Sequence, residues 1–389
     1  MNERISTKTL VTFSILDGLY WAYYACFGGY ISTYLLACGM TSSVLSIVMA
    51  VFMGCSFIGA FFWGGLCDKK KTNKKVFIPE FALSFTSAFI SWFMASRSLP
   101  VSCIFYILFG FLSAPLGSNL DSWMLKSFYK DAGTYGKARA IGSAGYAVAA
   151  LLVGQLINRI GYTVMPAGMI ACAAVVLVLA VSLKEMEYGN APAQTEKVNT
   201  MDLIKIRPYV FMLVILFTTG LASSPINSLK IVVIQSVGGD VGILGIDSFI
   251  GVMIQALFIF SSGKLKKIPP YFRLFTMAFF VMLDMVLIVT AVNPAMVIMG
   301  SVMWNASYGV MLPTIRELTE RYVHGPLKNT AHSMCDAIYG SFAGIIALTY
   351  SGTMMDRFGA RSVAVLGLCI MVIPFAMSLV SLLKNAKES

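Results

Sequence analysis

The sequence has little charge and almost no histidine. Only 12% of its 389 residues are Asp, Glu, Lys or Arg, and the two histidines are His324 and His332. Soluble domains carry about 25% charged and roughly 45–50% apolar residues, whereas 58% of this chain is hydrophobic. That is more apolar side chain than a water-soluble fold could cover. The chain is therefore expected to lie in a membrane.

The sequence also lacks the motifs of soluble enzymes and of metal sites. It contains no phosphate-binding loop, nucleophile elbow or cluster of metal ligands. An enzyme, a bound cofactor and ATP-driven transport by this chain are therefore not expected. The eight cysteines show no C-x-x-C spacing and lie in or beside apolar stretches, where cysteine behaves as a small hydrophobic residue. Neither a metal site nor a disulfide is predicted.

Apolar stretches of about 20 residues, the length that crosses a bilayer, recur along the whole chain. Backbone polar groups must pair within each stretch in lipid, so helices are predicted rather than strands. The first stretch is too long for a signal peptide and runs on without a cleavage site. The predicted fold class is an all-α membrane protein with twelve spans, at 10–36, 43–66, 76–96, 99–122, 137–158, 162–183, 208–234, 243–262, 272–291, 294–315, 329–353 and 361–383.

The positions of the basic residues predict the orientation. If the N-terminus is cytoplasmic, 23 of the 29 Lys and Arg residues fall on the cytoplasmic side, so both termini are predicted to lie in the cytoplasm, with the chain in a bacterial-type cell membrane. The net charge of +11 is spread over short loops and tails. Attraction to anionic lipid accounts for it, and no nucleic-acid partner is expected.

An internal repeat divides the chain. The segment Gly154–Gly161 reappears as Gly352–Gly359, an offset of 198 residues, and Gly65 and Gly263 precede lysine clusters at the same offset. The repeat predicts an N-terminal six-helix bundle at 1–185, a cytoplasmic linker at 186–206 and a C-terminal bundle at 207–389. Two parallel halves with a site near the midplane are the arrangement of an alternating-access carrier.

An acid and an arginine lie eighteen positions apart in this apolar setting, Asp121 in the fourth span and Arg139 in the fifth. Intramembrane charges mark functional sites. The planar guanidinium of Arg139 suits a carboxylate, and together they could hold the hydroxyl groups of a polyol. Tyr146, two helical turns further on, offers a ring for the apolar side of a sugar. The alternative is a purely structural ion pair.

At this point the sequence resembles the major facilitator superfamily, and within it the lactose-permease-like branch of oligosaccharide and proton symporters. Two stretches carry the resemblance, Gly64–Lys71 and Tyr135–Tyr146. Lactose permease has a similar second stretch, with an arginine at the position of Arg139, an aromatic ring at that of Tyr146 and an acid at that of Asp121. The resemblance implies two pseudo-symmetric six-helix bundles, and a loop in which Gly65, Asp68 and Lys69 brace a cytoplasmic gate. Lys69 stands where an arginine is usual.

The second half departs from the lactose permease pattern. Gln255 stands where that branch has a glutamate in the eighth span, and Trp304 and Asn305 stand in the tenth span in place of a titratable pair. Lys230 follows a polar, proline-interrupted stretch that contains Asn227 and should loosen the seventh span. Lys230 could pair with an acid or contact an anionic substrate.

Proton coupling needs a membrane carboxyl group whose protonation is linked to substrate binding. Asp17, Asp121, Asp284 and Asp336 are the candidates. We expect Asp336 or Asp17 to be the coupling site and place Asp284 lower, because a neighbouring helix could simply satisfy it. Asp336 lies within one residue of the repeat equivalent of Arg139, although it could instead cap a helix. Sodium is an alternative coupling ion.

The predicted function is secondary transport of a small polar solute, such as a sugar, oligosaccharide or glycoside, coupled to protons. Organic-anion uptake and drug efflux are alternatives on the same fold, and a non-transporting sensor is an alternative of another class. The expected partners are the solute, the coupling proton and membrane lipid. The chain is expected to act as a monomer.

Overall fold

The protein is described here by a computed structural model, which covers residues 7–128, 131–185, 200–261, 265 and 267–385. Regular structure in these ranges is helical throughout, without a strand, so the predicted all-α class is confirmed. Of the predicted linker at 186–206, residues 186–199 lie outside the described ranges. Gly263, which the internal repeat matches with Gly65, also lies outside them.

The first half of the described chain consists of long helices joined by short turns. Asp131 begins one of them, because its carboxylate accepts hydrogen bonds from the backbone N–H groups of Gly133 (3.1 Å) and Thr134 (3.2 Å). The helices are α1 (Thr7–Phe27), α2 (Ile31–Ala37), α3 (Ser42–Lys70), α4 (Lys74–Ala95), α5 (Leu99–Ser127), α6 (Ala132–Ile160) and α7 (Val164–Ser182).

The second half repeats this pattern after a 3-10 helix at Thr200–Lys205. Three of its helices have proline in their first turn, where a missing N–H costs nothing. The helices are α8 (Arg207–Ser228), α9 (Lys230–Ser236), α10 (Val241–Phe260), α11 (Pro270–Val289), α12 (Pro294–Tyr322), α13 (Lys328–Asp336), a π-helical turn (Ala337–Phe342), α14 (Ala343–Phe358) and α15 (Arg361–Asn385).

Eleven helical segments of the described chain are long and apolar enough to cross a bilayer. The remaining predicted span, 329–353, is formed by α13, the π-helical turn and α14 in succession. The predicted loop at Gly65, Asp68 and Lys69 is wrong, since these residues lie in the last turns of α3, which continues to Lys70.

Two predicted spans, the first and the seventh, are interrupted in their C-terminal parts. The first breaks between α1 and α2 at residues 28–30, and the seventh breaks between α8 and α9 at Leu229. The second break follows Pro225, whose carbonyl accepts the last bond of the turn from Leu229 N–H (2.9 Å). Lys230 therefore stands at the start of a new helix, directly after the polar stretch.

The chain forms two compact units. Unit 1 comprises the described residues of 1–40, 51–191 and 241–249, and unit 2 comprises those of 41–50, 192–240 and 250–389. Each unit thus contains one short segment that the predicted bundle boundaries assign to the other half, 241–249 in unit 1 and 41–50 in unit 2.

The sequence repeat has a structural counterpart in each unit. Gly161 and Gly359 end α6 and α14 with φ of 80° and 81°, a left-handed conformation that favours glycine. In unit 1, a Cβ on Gly154 would lie 3.0 Å from the Val241 carbonyl oxygen. In unit 2, a Cβ on Gly352 would overlap the backbone of Ser42. The repeat-related glycines Gly154 and Gly352 therefore lie against the first residues of α10 and α3, respectively.

Candidate functional site

In unit 1, two carboxyl groups from two helices lie beside one guanidinium group from a third helix. The Nη1 atom of Arg139 on α6 lies 3.8 Å from Oδ2 of Asp17 on α1, and its Nε atom lies 3.6 Å from Oδ1 of Asp121 on α5. The predicted pair of Asp121 and Arg139 is thus brought together. Asp17, predicted separately as a coupling residue, belongs to the same cluster.

The three side chains differ in their access to solvent. The Arg139 and Asp121 side chains are 30% and 31% exposed, whereas that of Asp17 is 1% exposed. In the described part of the chain, no donor reaches hydrogen-bond geometry with either Asp17 oxygen. The cluster therefore has an open side, at Asp121 and Arg139, and a closed side, at Asp17.

Small and aromatic residues position this cluster. Gly142, one turn after Arg139, has no side chain, and the carboxyl group of Asp17 fills the space beside it. The Trp21 ring lies under the guanidinium, 4.7 Å from its Cζ atom to the ring centroid, which is a cation–π contact. The Tyr135 hydroxyl lies beside Asp121. The ring on the guanidinium is thus Trp21 of α1.

Tyr146 lies further along α6, partly buried, near the rings of Tyr24 and Tyr30 and near Asp247. The Tyr30 hydroxyl donates to the carbonyl of Ala150, which lies one turn after Tyr146 on α6. Tyr146 therefore belongs to an aromatic group around the end of α1.

In unit 2, a buried lysine stands at the break between α8 and α9. Lys230 is 6% exposed and donates from Nζ to Oγ of Ser301 on α12 at 2.6 Å. A buried cation needs such partners. Lys230 thus contacts α12 at Ser301. The predicted residue Asn305 lies one turn later on the same face of α12, and its Nδ2 atom donates to the Ser301 carbonyl (2.8 Å).

Three aromatic rings of unit 2, two from α12 and one from the π-helical turn, lie close together. Trp304 and Tyr308, four residues apart on α12, are stacked with centroids 5.6 Å apart. Tyr339 in the π-helical turn lies 6.1 Å from Tyr308, with Ser223 of α8 beside it. π-helical turns are frequent at functional sites. The sequence predicted Trp304 here, and the four-residue spacing to Tyr308 was the signal for the second ring.

The remaining predicted amides of unit 2, Asn227 and Gln255, are half-buried. The Nδ2 atom of Asn227 donates to the Ser223 carbonyl of its own helix (3.0 Å). Gln255 on α10 is half-buried, with its carbonyl oxygen 3.2 Å from where a Gly309 Cβ would lie. Asn227 thus bonds within its own helix, and the backbone of Gln255 lies close to α12.

The two acids predicted in unit 2 have different surroundings. Asp284 on α11 is fully buried and faces Gly300 on α12, where a Cβ would meet its Oδ1 atom. Asp336 at the end of α13 is 55% exposed and pairs with Arg316 on α12 at 2.7 Å. Asp336 therefore already has a charged partner within its own unit.

The predicted gate residues Gly65, Asp68 and Lys69 are exposed at the end of α3. Sequence reasoning did not single out Glu80 on α4, which is fully buried. The signal was present, because an acid inside a predicted apolar span marks a site. The described residues contain no group of three His, Cys, Asp or Glu side chains that could hold a metal ion.

Comparison with known proteins decides the family, since the model of the MFS_1 like family matches residues 13–382. The chain belongs to the MFS_1 like family. It is therefore a multi-pass membrane transporter of the major facilitator type and not an enzyme, and the predicted fold is confirmed.

Individual relatives agree with this family. The chain is 24% identical to the maltose permease of Geobacillus stearothermophilus over 300 residues, 76% of this chain and 75% of that protein. A solved structure of the nucleoside transporter NupG, in a mutant form, superposes with a TM-score of 0.84 at 13% identity, covering 96% of this chain and 99% of that one. The D-xylose–proton symporter superposes with a TM-score of 0.65 at 15% identity, covering 95% and 98%.

Proposed function

We propose that this MFS transporter imports a neutral, sugar-containing solute by alternating access, and that proton entry drives the import. The observation that carries the proposal is the position of Arg139 between Asp121 and Asp17. One guanidinium faces two carboxyl groups, so binding of a solute and of a proton can depend on the same arginine.

Asp121 and Arg139 supply the solute contacts. Both are about one-third exposed, and their side chains offer acceptors and donors that match the hydroxyl pairs of a sugar. At 3.6 Å their contact is longer than a good hydrogen bond, so a hydroxyl group can compete for both. Trp21 and Tyr146 supply ring faces in the same unit.

The charge balance favours a neutral solute. With both acids ionised, the cluster of unit 1 has a net charge of −1, and with one protonated it is neutral. An organic anion would find no excess positive charge there. Lys230 of unit 2 is buried against Ser301, which also makes it a poor first contact for an anion.

The rings of Trp304, Tyr308 and Tyr339 suit the second face of such a solute. Aromatic rings pack on the apolar faces of sugars and of planar bases. The named relatives transport maltose, nucleosides and D-xylose, all of which contain a sugar ring. A sugar or glycoside, nucleosides included, is therefore the proposed substrate class.

Asp17 is the proposed coupling residue. It is closed to solvent and shares Arg139 with Asp121, so a solute that draws Arg139 toward Asp121 weakens the contact that stabilises an ionised Asp17. Protonation of Asp17 would then accompany binding. One proton moving down about 100 mV releases about 2.3 kcal/mol, enough for a solute gradient of roughly fifty-fold.

Purified protein in proteoliposomes with an imposed pH gradient tests the proposal. We expect accumulation of a neutral sugar or nucleoside that collapses when a protonophore is added, and no accumulation in liposomes containing an Arg139→Lys variant. Accumulation of organic acids alone, or export of apolar amines alone, would contradict the proposed substrate class. Accumulation that follows a sodium gradient and ignores the pH gradient would contradict proton coupling.

A further inference from the structure

Glu80 is a buried carboxyl group that the proposed transport mechanism does not use. It lies in the second turn of α4, its side chain is fully buried, and α4 is otherwise an apolar membrane span after its first turn. Neither of its oxygens accepts a hydrogen bond of normal geometry from the described residues. An ionised carboxylate in such a place carries a large desolvation cost.

The groups that face Glu80 come from the helices around it. Asn119 of α5 lies beside its carboxyl group, and Tyr20 of α1 and Cys67 of α3 lie within electrostatic reach. The neighbouring α7 contains no charged residue, only Cys172 as a titratable one. No cation is therefore among the immediate neighbours in the described chain, so the neutral acid is the form that suits the present arrangement.

Polar side chains connect Glu80 to the exposed end of α3. Asn73, just before α4, donates from Nδ2 to the Asn119 side-chain oxygen at 2.7 Å, and Asn119 Nδ2 is 3.4 Å from the Asn73 carbonyl oxygen. The Nζ atom of Lys126 donates to the Asn73 side-chain oxygen at 2.8 Å and interacts with Asp68. This chain of contacts runs from a buried acid to an exposed one.

We propose that Glu80 is a second proton-binding site of this protein, separate from Asp17, and that its proton controls the contacts between the end of α3 and the start of α4. In the present arrangement the carboxyl group is protonated. On release, the proton passes from the carboxyl oxygen to water and leaves a carboxylate. The Asn119 amide then turns from the Asn73 carbonyl, a long contact of 3.4 Å, to the carboxylate.

That rotation has a consequence for Asp68. When the Asn119 amide turns, its side-chain oxygen leaves Asn73, and Asn73 loses the contact that orients it toward Lys126. Lys126 is then free to shift from Asp68 toward the new negative charge. Tyr20 lies within electrostatic reach of both Glu80 and Asp17, so the two proton sites are also within reach of one common side chain.

Infrared difference spectroscopy of the full-length protein, between acidic and alkaline buffer, tests the inference directly. We expect a carbonyl band of a protonated acid that disappears on alkalinisation, is lost in Glu80→Gln and remains in Asp17→Asn. Gln has the shape of the protonated acid, so this variant should fold and bind solute with unchanged affinity. Asn119→Leu removes the amide donor, and the band should then persist to more alkaline buffer.

Two results would overturn the inference. One is a spectrum of Glu80→Gln that matches the unmodified protein, which would mean that Glu80 carries no titrating proton. The other appears in the absolute spectra: a carbonyl band that is assigned to Glu80 by its loss in Glu80→Gln and stays constant through the alkaline range in which the protein remains folded would make Glu80 a permanently neutral packing residue. Neither readout requires transport, so both are separate from failure of the proposed symport.

Discussion

The carboxyl group of Asp17 occupies the space that a Cβ atom on Gly142 would need. Gly142 follows Arg139 by three residues on α6, so the absent side chain creates room for the acid directly beside the guanidinium. A buried carboxyl group and a small residue on the facing helix are thus one structural feature. The charge cluster of unit 1 depends on both.

Replacement of Gly142 by Ala should therefore abolish proton-driven accumulation. The added methyl group forces the Asp17 carboxyl group away from Arg139, while the helix itself gains about 1 kcal/mol in propensity. Uptake in proteoliposomes under a pH gradient measures the effect, with thermal unfolding as the check on folding.

Gly136→Ala is the matched control for this prediction. Gly136 lies on the same helix, is exposed, and a Cβ there would meet nothing within 4 Å. It should retain transport. If Gly142→Ala transports as well as Gly136→Ala, the cluster geometry is not needed for coupling.

Arg139→Lys should abolish uptake and leave the amount of folded protein unchanged. Lysine keeps the positive charge but loses the planar fork that reaches Asp17 from Nη1 and Asp121 from Nε at the same time. Initial rates of solute uptake at several solute concentrations are the measurement. Lys137→Arg, two positions earlier at an exposed site, is the control and should transport normally. Unaltered kinetics in Arg139→Lys would show that the arginine has only a packing role.

Asp17→Asn should separate exchange from accumulation. Asparagine is a neutral stand-in for protonated aspartic acid, so solute exchange across the membrane should continue, whereas accumulation against a gradient should fall to equilibrium. Counterflow and pH-driven uptake, measured side by side, report the two activities.

Asp336→Asn serves as the comparison, because Asp336 is exposed and already paired with Arg316. It should keep accumulation within about twofold, as expected for a surface ion pair of small energy. The reverse pattern, with accumulation lost in Asp336→Asn and kept in Asp17→Asn, would move the coupling site to unit 2.

Trp304→Ala should raise the KM for solute by roughly tenfold without a comparable loss of maximal rate. Packing of an aromatic ring on a solute contributes about 0.5–1.5 kcal/mol beyond the buried area. The ring of Trp304, which stacks on Tyr308, is the proposed ring face, and the substitution removes it. Phe342→Ala, at an exposed ring of the π-helical turn, should leave the KM unchanged. Equal effects of both substitutions would place the solute elsewhere.

The sequence predicted relations along one helix much better than contacts between helices. Apolar length alone identified the spans, and Pro225 marked the stretch before the break at Leu229, because both depend on local backbone chemistry. The pairing of Asp336 with Arg316 was not predicted. It depends on how α12 and α13 pack, which the spacing of residues within each helix does not determine.

The candidate site shows the same division. Asp121 and Arg139 were paired in the sequence as opposite charges within apolar spans, and the four-residue spacing of Trp304 and Tyr308 was also available there. The position of Asp17 in the same cluster was not, because its contact with Arg139 requires the close approach of α1 and α6 at Gly142. Glu80 was visible as an acid in an apolar span, but only its burial distinguishes it from an acid at a helix end.

In unit 2, Asp356 near the end of α14 caps the start of α3. Its carboxylate accepts hydrogen bonds from the backbone N–H groups of Ser42 (3.2 Å) and Ser43 (2.8 Å) and from the Ser43 hydroxyl. Partial burial works to raise the pKa of Asp356, but the hydrogen bonds from Ser43 and Ser42 outweigh it and hold the pKa below its ordinary value. The charged form is therefore the one that stabilises this contact.

The sign of the pH dependence follows from that lowered pKa. Stabilisation of the contact should be complete near neutral pH and should be lost as the pH falls through the lowered pKa of Asp356, because protonation removes the charged acceptor. Asp356→Ala should weaken the contact by about 1 kcal/mol, the usual cost of losing a helix cap. Hydrogen exchange of the peptide that contains Ser43 should then be roughly fivefold faster at neutral pH than in the unmodified protein.

Asp356→Asn separates the cap from its charge. An amide oxygen can still cap a helix, so the Ser43 peptide of this variant should exchange at a rate between those of the unmodified protein and Asp356→Ala. Because asparagine does not titrate, the difference in exchange rate between Asp356→Asn and Asp356→Ala should be the same in acid as at neutral pH. Arg357→Gln, at the next and exposed position, should exchange like the unmodified protein at every pH. The decisive quantity is how much more slowly Ser43 exchanges in the unmodified protein than in Asp356→Ala. If this difference were the same in acid as at neutral pH, the charge of Asp356 would not contribute to the contact.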